Sequence, residues 1–234
     1  MSTSRFRILD QVRASLAINR QHLLDQAAAY PAPHPRGPFM PSDLPVIEQF
    51  EKELSALHAY VHICDGPQAA LDHVHALLEA ANARRLIAWD SNELPLRGVA
   101  DLLESLGIEQ MDQEVLAAAN RLSALRALEP APVCISGVDA AIAESGSMIV
   151  VSGPGRGRLA SLLPPLHIAL LPADRIVRTL PDAFDLLRER YGDGLFRDHA
   201  NVTIITGPSR TADIELSLTL GVHGPREIHA VVIR

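Results

Sequence analysis

The chain has 234 residues, enough to bury one substantial core but short for two full domains. Its 21 basic and 28 acidic residues leave a formal net charge of -7, which argues against the clustered positive face that a phosphate backbone requires, so nucleic acid is not an expected partner. No run approaches the roughly 20 apolar residues of a membrane span, and the opening MSTSRFRILDQVRASL is polar where a signal peptide is apolar, so a cytoplasmic location is expected.

Residues 4 to 29 place Leu9, Val12, Leu16 and Leu23 at helical spacing between charged residues and predict an amphipathic helix packed on the main body. Seven prolines lie between Pro31 and Pro67, five of them in PAPHPRGPFMP, and they forbid regular structure early in that span. A second helix follows over roughly Val46 to Tyr60. Residues 1–60 therefore read as a helical arm with a proline-rich linker, and residues 61–234 as an α/β domain.

From Val61 onward short β-rich runs alternate with helical segments: VHIC, PQAALDHVHALLEAA, RLIAW, LRGVADLLESLG. That alternation predicts an open, mostly parallel sheet with helices on both faces. Later strands are expected at MIVV, HIALL, NVTII and IHAVVI, whose apolar residues run without polar alternation, as in fully covered strands. PDAFDLLRERY is the expected helix between two of them.

The composition narrows the chemistry. Cys64 and Cys134 are the only cysteines and lie in apolar runs, which reads as two buried thiols; an iron–sulfur cluster normally takes four protein thiolates, so this chain holds none alone. Lys52 is the only lysine and sits among polar residues of an amphipathic segment, against Schiff-base or P-loop chemistry. His58 and His62, or His73 and His75, do not form a zinc spacing, so no metal site is expected.

Three polar turns carry the candidate site. ISGVDAAIAESGSMIVV sets Asp139, Glu144 and Ser145 near the start of a strand at Ser147; Glu144 there is either a site residue or a solvated loop acid. SGPGRGRLASLLPP breaks the G-x-G-x-x-G pattern at Pro154, so no dinucleotide cofactor is implied, and Arg156 and Arg158 are left as forks for a carboxylate or phosphate, or as surface arginines. TGPSRTADIE follows the strand NVTII and predicts a glycine turn at Gly207, Ser209 and Thr211 as caps, then a short helix whose first amides and Arg210 receive an anion. Asp213 and Glu215 then orient Arg210 or bind a ligand hydroxyl, unless they are simply dipole-matched acids. His223, in LGVHGP, is a candidate for ligand contact or acid–base work, whereas His167 inside HIALL reads as a satisfied core residue.

Taken in order, VDAAIAESGS, LASLLPPLHIALL, TGPSRTADIE and LGVHGP resemble the LUD domain of the lactate-utilisation protein C family over roughly residues 60 to 234. The resemblance implies a Rossmann-like fold of the sugar-phosphate isomerase and coenzyme A transferase type. It further implies a role in L-lactate oxidation to pyruvate alongside two iron–sulfur partner proteins; with redox centres missing from the sequence, a non-redox component that binds a small anion through its arginines and carries no cofactor is expected. The alternatives are acyl transfer, in which Glu144 resembles the catalytic glutamate of coenzyme A transferases and attacks a thioester, and a ligand-binding regulatory module.

Overall fold

The structure, a computed structural model, describes residues 3–29, 42–111, 121–128, 131–199, 201–212 and 218–234. The chain divides into two units, residues 1–40 and residues 41–234. The described part of the first is the helix α1 (Thr3–Ala29), closed along its side by the Arg13–Asp10 pair and by Gln21 donating to Asp25 one turn on.

The second unit begins with α2 (Val46–Ala56), which the sequence grouped with the arm and carried on to Tyr60. It stops earlier because His58 adopts a left-handed φ of 67° and the chain turns directly into β1 (Tyr60–Cys64). The helix contributes Phe50 and Leu54, both fully buried, and burying each stabilises by about 1.5–3 kcal/mol.

Alternation then proceeds through α3 (Pro67–Ala80), β2 (Arg85–Ala88), α4 (Val99–Ser105), β3 (Glu109–Gln110), α5 (Arg121–Leu128) and β4 (Val133–Gly137). Next come the hairpin β5 (Ala140–Ile142) and β6 (Ser147–Ser152), then β7 (Leu166–Pro172), β8 (Ile176–Val177), α6 (Leu180–Tyr191) and β9 (Asn201–Ile205). The hairpin β10 (Arg210–Ala212) and β11 (Leu218–Leu220) and the strand β12 (Glu227–Ile233) complete the described elements.

The main sheet has the order β1-β12-β7-β4-β2-β3 and every pair in it is parallel. Its strands carry apolar residues on both faces because helices cover both. Ile168, Leu170 and Val231 face the cluster built on Val74 and Leu78 of α3, while Ala169, Leu171, Ala230 and Val232 face Phe50 and Leu54 of α2. Cys64 and Cys134 are buried free thiols, and burial pushes both upward in pKa. His167 is buried with Nε2 bonded to Ser136 Oγ at 2.8 Å, and burial alone lowers its pKa to about 4.

MIVV and NVTII are strands, as their composition predicts, but they belong to a second sheet, β8-β5-β6-β9, in which β6 pairs antiparallel with both β5 and β9. Strand β6 reads as fully covered because it is: Met148 and Val150 join the clusters of the main body, and Ile149 and Val151 pack on Ala183 and Leu187 of α6. Gly146, in the β5–β6 turn, has φ 62° and would place a Cβ 2.4 Å from the backbone nitrogen of Leu54, so the hairpin approaches α2 only because that residue lacks a side chain. The segment after Gly207 is the strand β10 rather than the start of a helix; its backbone groups are taken by β11, so Ser209 and Thr211 cap no helix there.

Candidate functional site at the carboxyl edge of the main sheet

From β2 the chain moves outward to β3, and from β4 it moves the opposite way to β7, so the winding direction reverses between the neighbouring strands β2 and β4. The crevice beyond the carboxyl ends of such a strand pair is where open α/β sheets receive ligands. Here Trp89 and Asp90 leave β2 while Val138 and Asp139 leave β4. Trp89 lies against the last residue of β4: a Cβ on Gly137 would meet Trp89 Cζ3 at 2.9 Å and Pro95 Cδ at 2.9 Å. The Gly153–Arg156 turn folds over the same place, held by Asp90 N–H donating to Gly155 O at 2.8 Å and by a backbone bridge between Gly153 and Arg156. It sets the Arg156 guanidinium 4.8 Å from the Trp89 ring centroid.

Asp139 is the hub of this crevice and its side chain is fully buried. Its Oδ2 accepts from Val151 N–H at 2.7 Å, and its Oδ1 accepts from Arg156 Nη1 at 3.0 Å and from the Tyr191 hydroxyl at 2.6 Å. Arg190 Nη1 donates to the Asp139 carbonyl at 3.2 Å, and Arg175 Nη1 to the Val138 carbonyl at 2.7 Å. Arg156 Nε turns the other way, to Glu93 Oε2 at 2.7 Å. Burial works against the charge of Arg156, but Asp139, Glu93 and Tyr191 outweigh it and hold its pKa above the ordinary value. Burial and the neighbouring Asp139 push Tyr191 up to about 12, and burial with the nearby Arg190 lowers Arg175.

Two polar atoms in the same crevice are buried without a hydrogen-bond partner among the described residues: Trp89 Nε1 and His199 Nδ1. The His199 ring meets Tyr191 edge-on with centroids 4.6 Å apart, and its Nδ1 lies 3.1 Å from the position of a Cβ on Gly153. An unsatisfied buried donor or acceptor costs about 1–3 kcal/mol, so a polar group that reaches either atom in the crevice is favoured there.

Of the residues expected from sequence, Asp139 and Arg156 stand in this crevice, and the donors of Arg156 are engaged by Glu93, Asp139 and Tyr191. Arg158 opens a 3-10 turn, Arg158–Ser161, with its side chain exposed. Glu144 sits in the β5–β6 turn and its Oε1 accepts from Leu180 N–H at 3.0 Å, adding an acid to the first turn of α6 beside the Thr179–Asp182 capping box. Ser145, Gly207, Ser209, Arg210 and His223 gather elsewhere. Ser145 is linked through Ser147 to Thr206, each step at 2.8 Å, and Gly207 packs on Leu57. The Arg210 guanidinium donates to the Leu57 carbonyl at the end of α2, Ser209 Oγ accepts from His223 N–H at 3.3 Å, and Thr211 pairs with Thr219. Ser209 N–H also reaches Pro225, just before β12, which places the Ser209–His223 turn at the amino edge of the sheet and Arg156 at the carboxyl edge. The single cleft expected from sequence is therefore two separate places. Asp213 and Glu215 lie outside the described residues. Sequence reasoning passed over Trp89, Glu93, Tyr191 and His199; the one signal available for the first two was an acidic DSNE loop directly after a predicted parallel strand.

A sequence model of the LUD domain matches residues 47–233, a span that takes in all the described strands. This chain belongs to the LUD domain family. Among its relatives are two proteins called lactate utilization protein C. The one from Shouchella clausii (strain KSM-K16) is 33% identical over 169 residues, covering 71% of this chain and 68% of the relative. The other, from Halalkalibacterium halodurans, is 32% identical over 169 residues, covering 72% and 70%. A crystal structure of a DUF162 family protein from Deinococcus radiodurans superposes with a TM-score of 0.56 at 21% identity, covering 81% of this chain and 96% of that one, and shows the same fold. The LUD domain begins inside α2, so this helix and the crevice belong to one unit. No helix among the described residues of this LUD protein is long and apolar enough to cross a membrane, and no group of three or more described His, Cys, Asp or Glu side chains is arranged to hold a metal ion.

Proposed function

We propose that this LUD protein is a non-redox component of L-lactate utilisation that acts alongside iron–sulfur partner proteins in the oxidation of L-lactate to pyruvate, and that it binds the small carboxylate in the crevice between β2 and β4. The names of its relatives support the pathway. The binding role rests on one observation: Arg156 lies on Trp89 with its Nε turned to Glu93, a half-exposed carboxylate carried on a loop. A ligand carboxylate takes the place of Glu93 on the fork, while the buried Asp139 keeps the fork in position. The 2-hydroxyl or 2-keto oxygen of the ligand then meets the unpartnered Trp89 Nε1 or His199 Nδ1. Glu93 holds the site in a polar, closed form until the exchange occurs.

The test uses the emission of Trp89, the single tryptophan of the chain. L-lactate or pyruvate at millimolar concentration is expected to change it, and Glu93→Gln, which removes the competing charge, is expected to tighten binding about tenfold. Unchanged emission with both acids, in the native chain and in Glu93→Gln alike, rejects the binding role. Deletion of the gene with undiminished growth on L-lactate, and no related gene to compensate, rejects the pathway.

A further inference from the structure

The amino edge of the main sheet carries a cavity that the crevice chemistry does not use. Its volume is about 380 Å³, at the small end of ligand sites. Leu77, Pro132 and Pro165 form part of its apolar wall, and Arg226, Glu227 and His229 line it as well. The Arg226 side chain has no hydrogen-bond or ion-pair partner among the described residues; only its backbone is tied, to the Pro165 carbonyl at 2.9 Å. Glu227 is fixed by contrast: its Oε1 accepts from His229 Nε2 at 2.8 Å. His229 is 6% exposed, stacks on Tyr60, and places Nδ1 2.9 Å from His62 Nε2. His229 Nε2–H donates to the Glu227 carboxylate, and a single proton between His229 Nδ1 and His62 Nε2 closes the second contact. The half-exposed carboxylate is thereby tied through the buried His229 to His62, with its second oxygen left over.

An exposed arginine with no side-chain partner among the described residues and an anchored carboxylate thus adjoin on a pocket with an apolar wall. A lone carboxylate would be repelled by Glu227 and a lone amine by Arg226, whereas a molecule bearing both charges on one carbon satisfies both groups and sends its side chain to the wall. We infer that this cavity binds an α-amino acid with an apolar side chain, its carboxylate on Arg226 and its ammonium group on Glu227.

The experiment titrates the full chain with L-leucine, L-methionine and L-phenylalanine, and with the half-ligands 4-methylpentanoate and 3-methylbutylamine, following heat of binding and the imidazole ¹⁵N signals of His229 and His62. At least one amino acid is expected to bind with each half-ligand about tenfold weaker or more, to shift both imidazoles, and to lose about tenfold in affinity in Arg226→Gln and in Glu227→Gln. Neither variant is expected to alter the response of Trp89 to L-lactate or pyruvate, because Arg156 is at the other edge of the sheet. Absence of binding by all three amino acids, binding of 4-methylpentanoate as tight as that of L-leucine, or binding that leaves the His229 signal in place each overturns the inference.

Discussion

Asp139→Asn removes one charge from the centre of the crevice while nearly keeping the side-chain shape. The wild-type carboxylate is fully buried and receives Arg156, Tyr191 and the Val151 amide, with Arg190 at 3.7 Å. Removing one partner of a buried ion pair costs roughly 3–5 kcal/mol, and because Arg156 retains Glu93 the lower end applies, about 3 kcal/mol. With a urea slope of about 2 kcal/mol/M this moves the unfolding midpoint down by about 1.5 M. Trp89 emission is the natural probe, since its ring lies under the Arg156 guanidinium. Tyr191→Phe is the graded control: it deletes one hydroxyl and leaves the charges, for an expected loss of about 1 kcal/mol. A midpoint shift below about 0.3 M for Asp139→Asn means that the carboxylate does not organise the crevice, and the account of Arg156 falls with it.

Other changes probe the frame around the site. Gly146→Ala forces a Cβ against the Leu54 backbone at a left-handed φ, and a loss of roughly 2–3 kcal/mol is expected in thermal or urea unfolding. Glu144→Ala removes an acceptor from the first turn of α6 and is expected to cost about 0.5–1 kcal/mol; trapping with acyl-coenzyme A and borohydride should leave Glu144 unlabelled, whereas a labelled Glu144 restores acyl transfer as the activity. Stability also depends on pH at both ends. His62 and His167 have folded pKa values near 4, below the ordinary 6.5, mainly through burial, so the unfolded chain binds more protons and stability falls as pH drops from 6.5 toward 4. Tyr191, raised from 10 to about 12, favours the folded state below pH 10 and loses that contribution as pH rises through this window. Urea titrations across both ranges check the signs, and His62→Gln should make the acid limb shallower.

Four of the six parallel strands, VHIC, RLIAW, HIALL and IHAVVI, were legible as apolar runs, and HIALL and IHAVVI are covered on both faces by α2 and α3, whereas β3 and β4 were not read as strands. That signal does not report direction. MIVV is equally apolar because it is pressed between the main body and α6, so sequence placed it in the parallel sheet when it is antiparallel to NVTII. Ser209 and Thr211 look like helix caps, yet cap chemistry and hairpin chemistry use the same residues, and the partner strand Leu218–Leu220 decided the outcome. Arg156 was visible as an arginine in a glycine turn. Its partners Glu93 and Tyr191 were not, because they are 63 and 35 residues away and only the reversal of winding between β2 and β4 brings them to one edge. His62 and His229 met for a similar reason, through the parallel pairing of β1 with β12.

That last pairing governs the order in which the molecule can be completed. Strand β12 is made last of the six, yet it is seated between β1 and β7, so the first strand has no backbone neighbour until the last one arrives. A nascent chain emerging from the ribosome must therefore keep the apolar run of β1, and the α3 residues that cover it, waiting throughout synthesis. Shortening the chain within Glu227–Ile233 is then expected to unseat the first strand as well as the last, and fusions placed upstream should be better tolerated than interruptions near this strand.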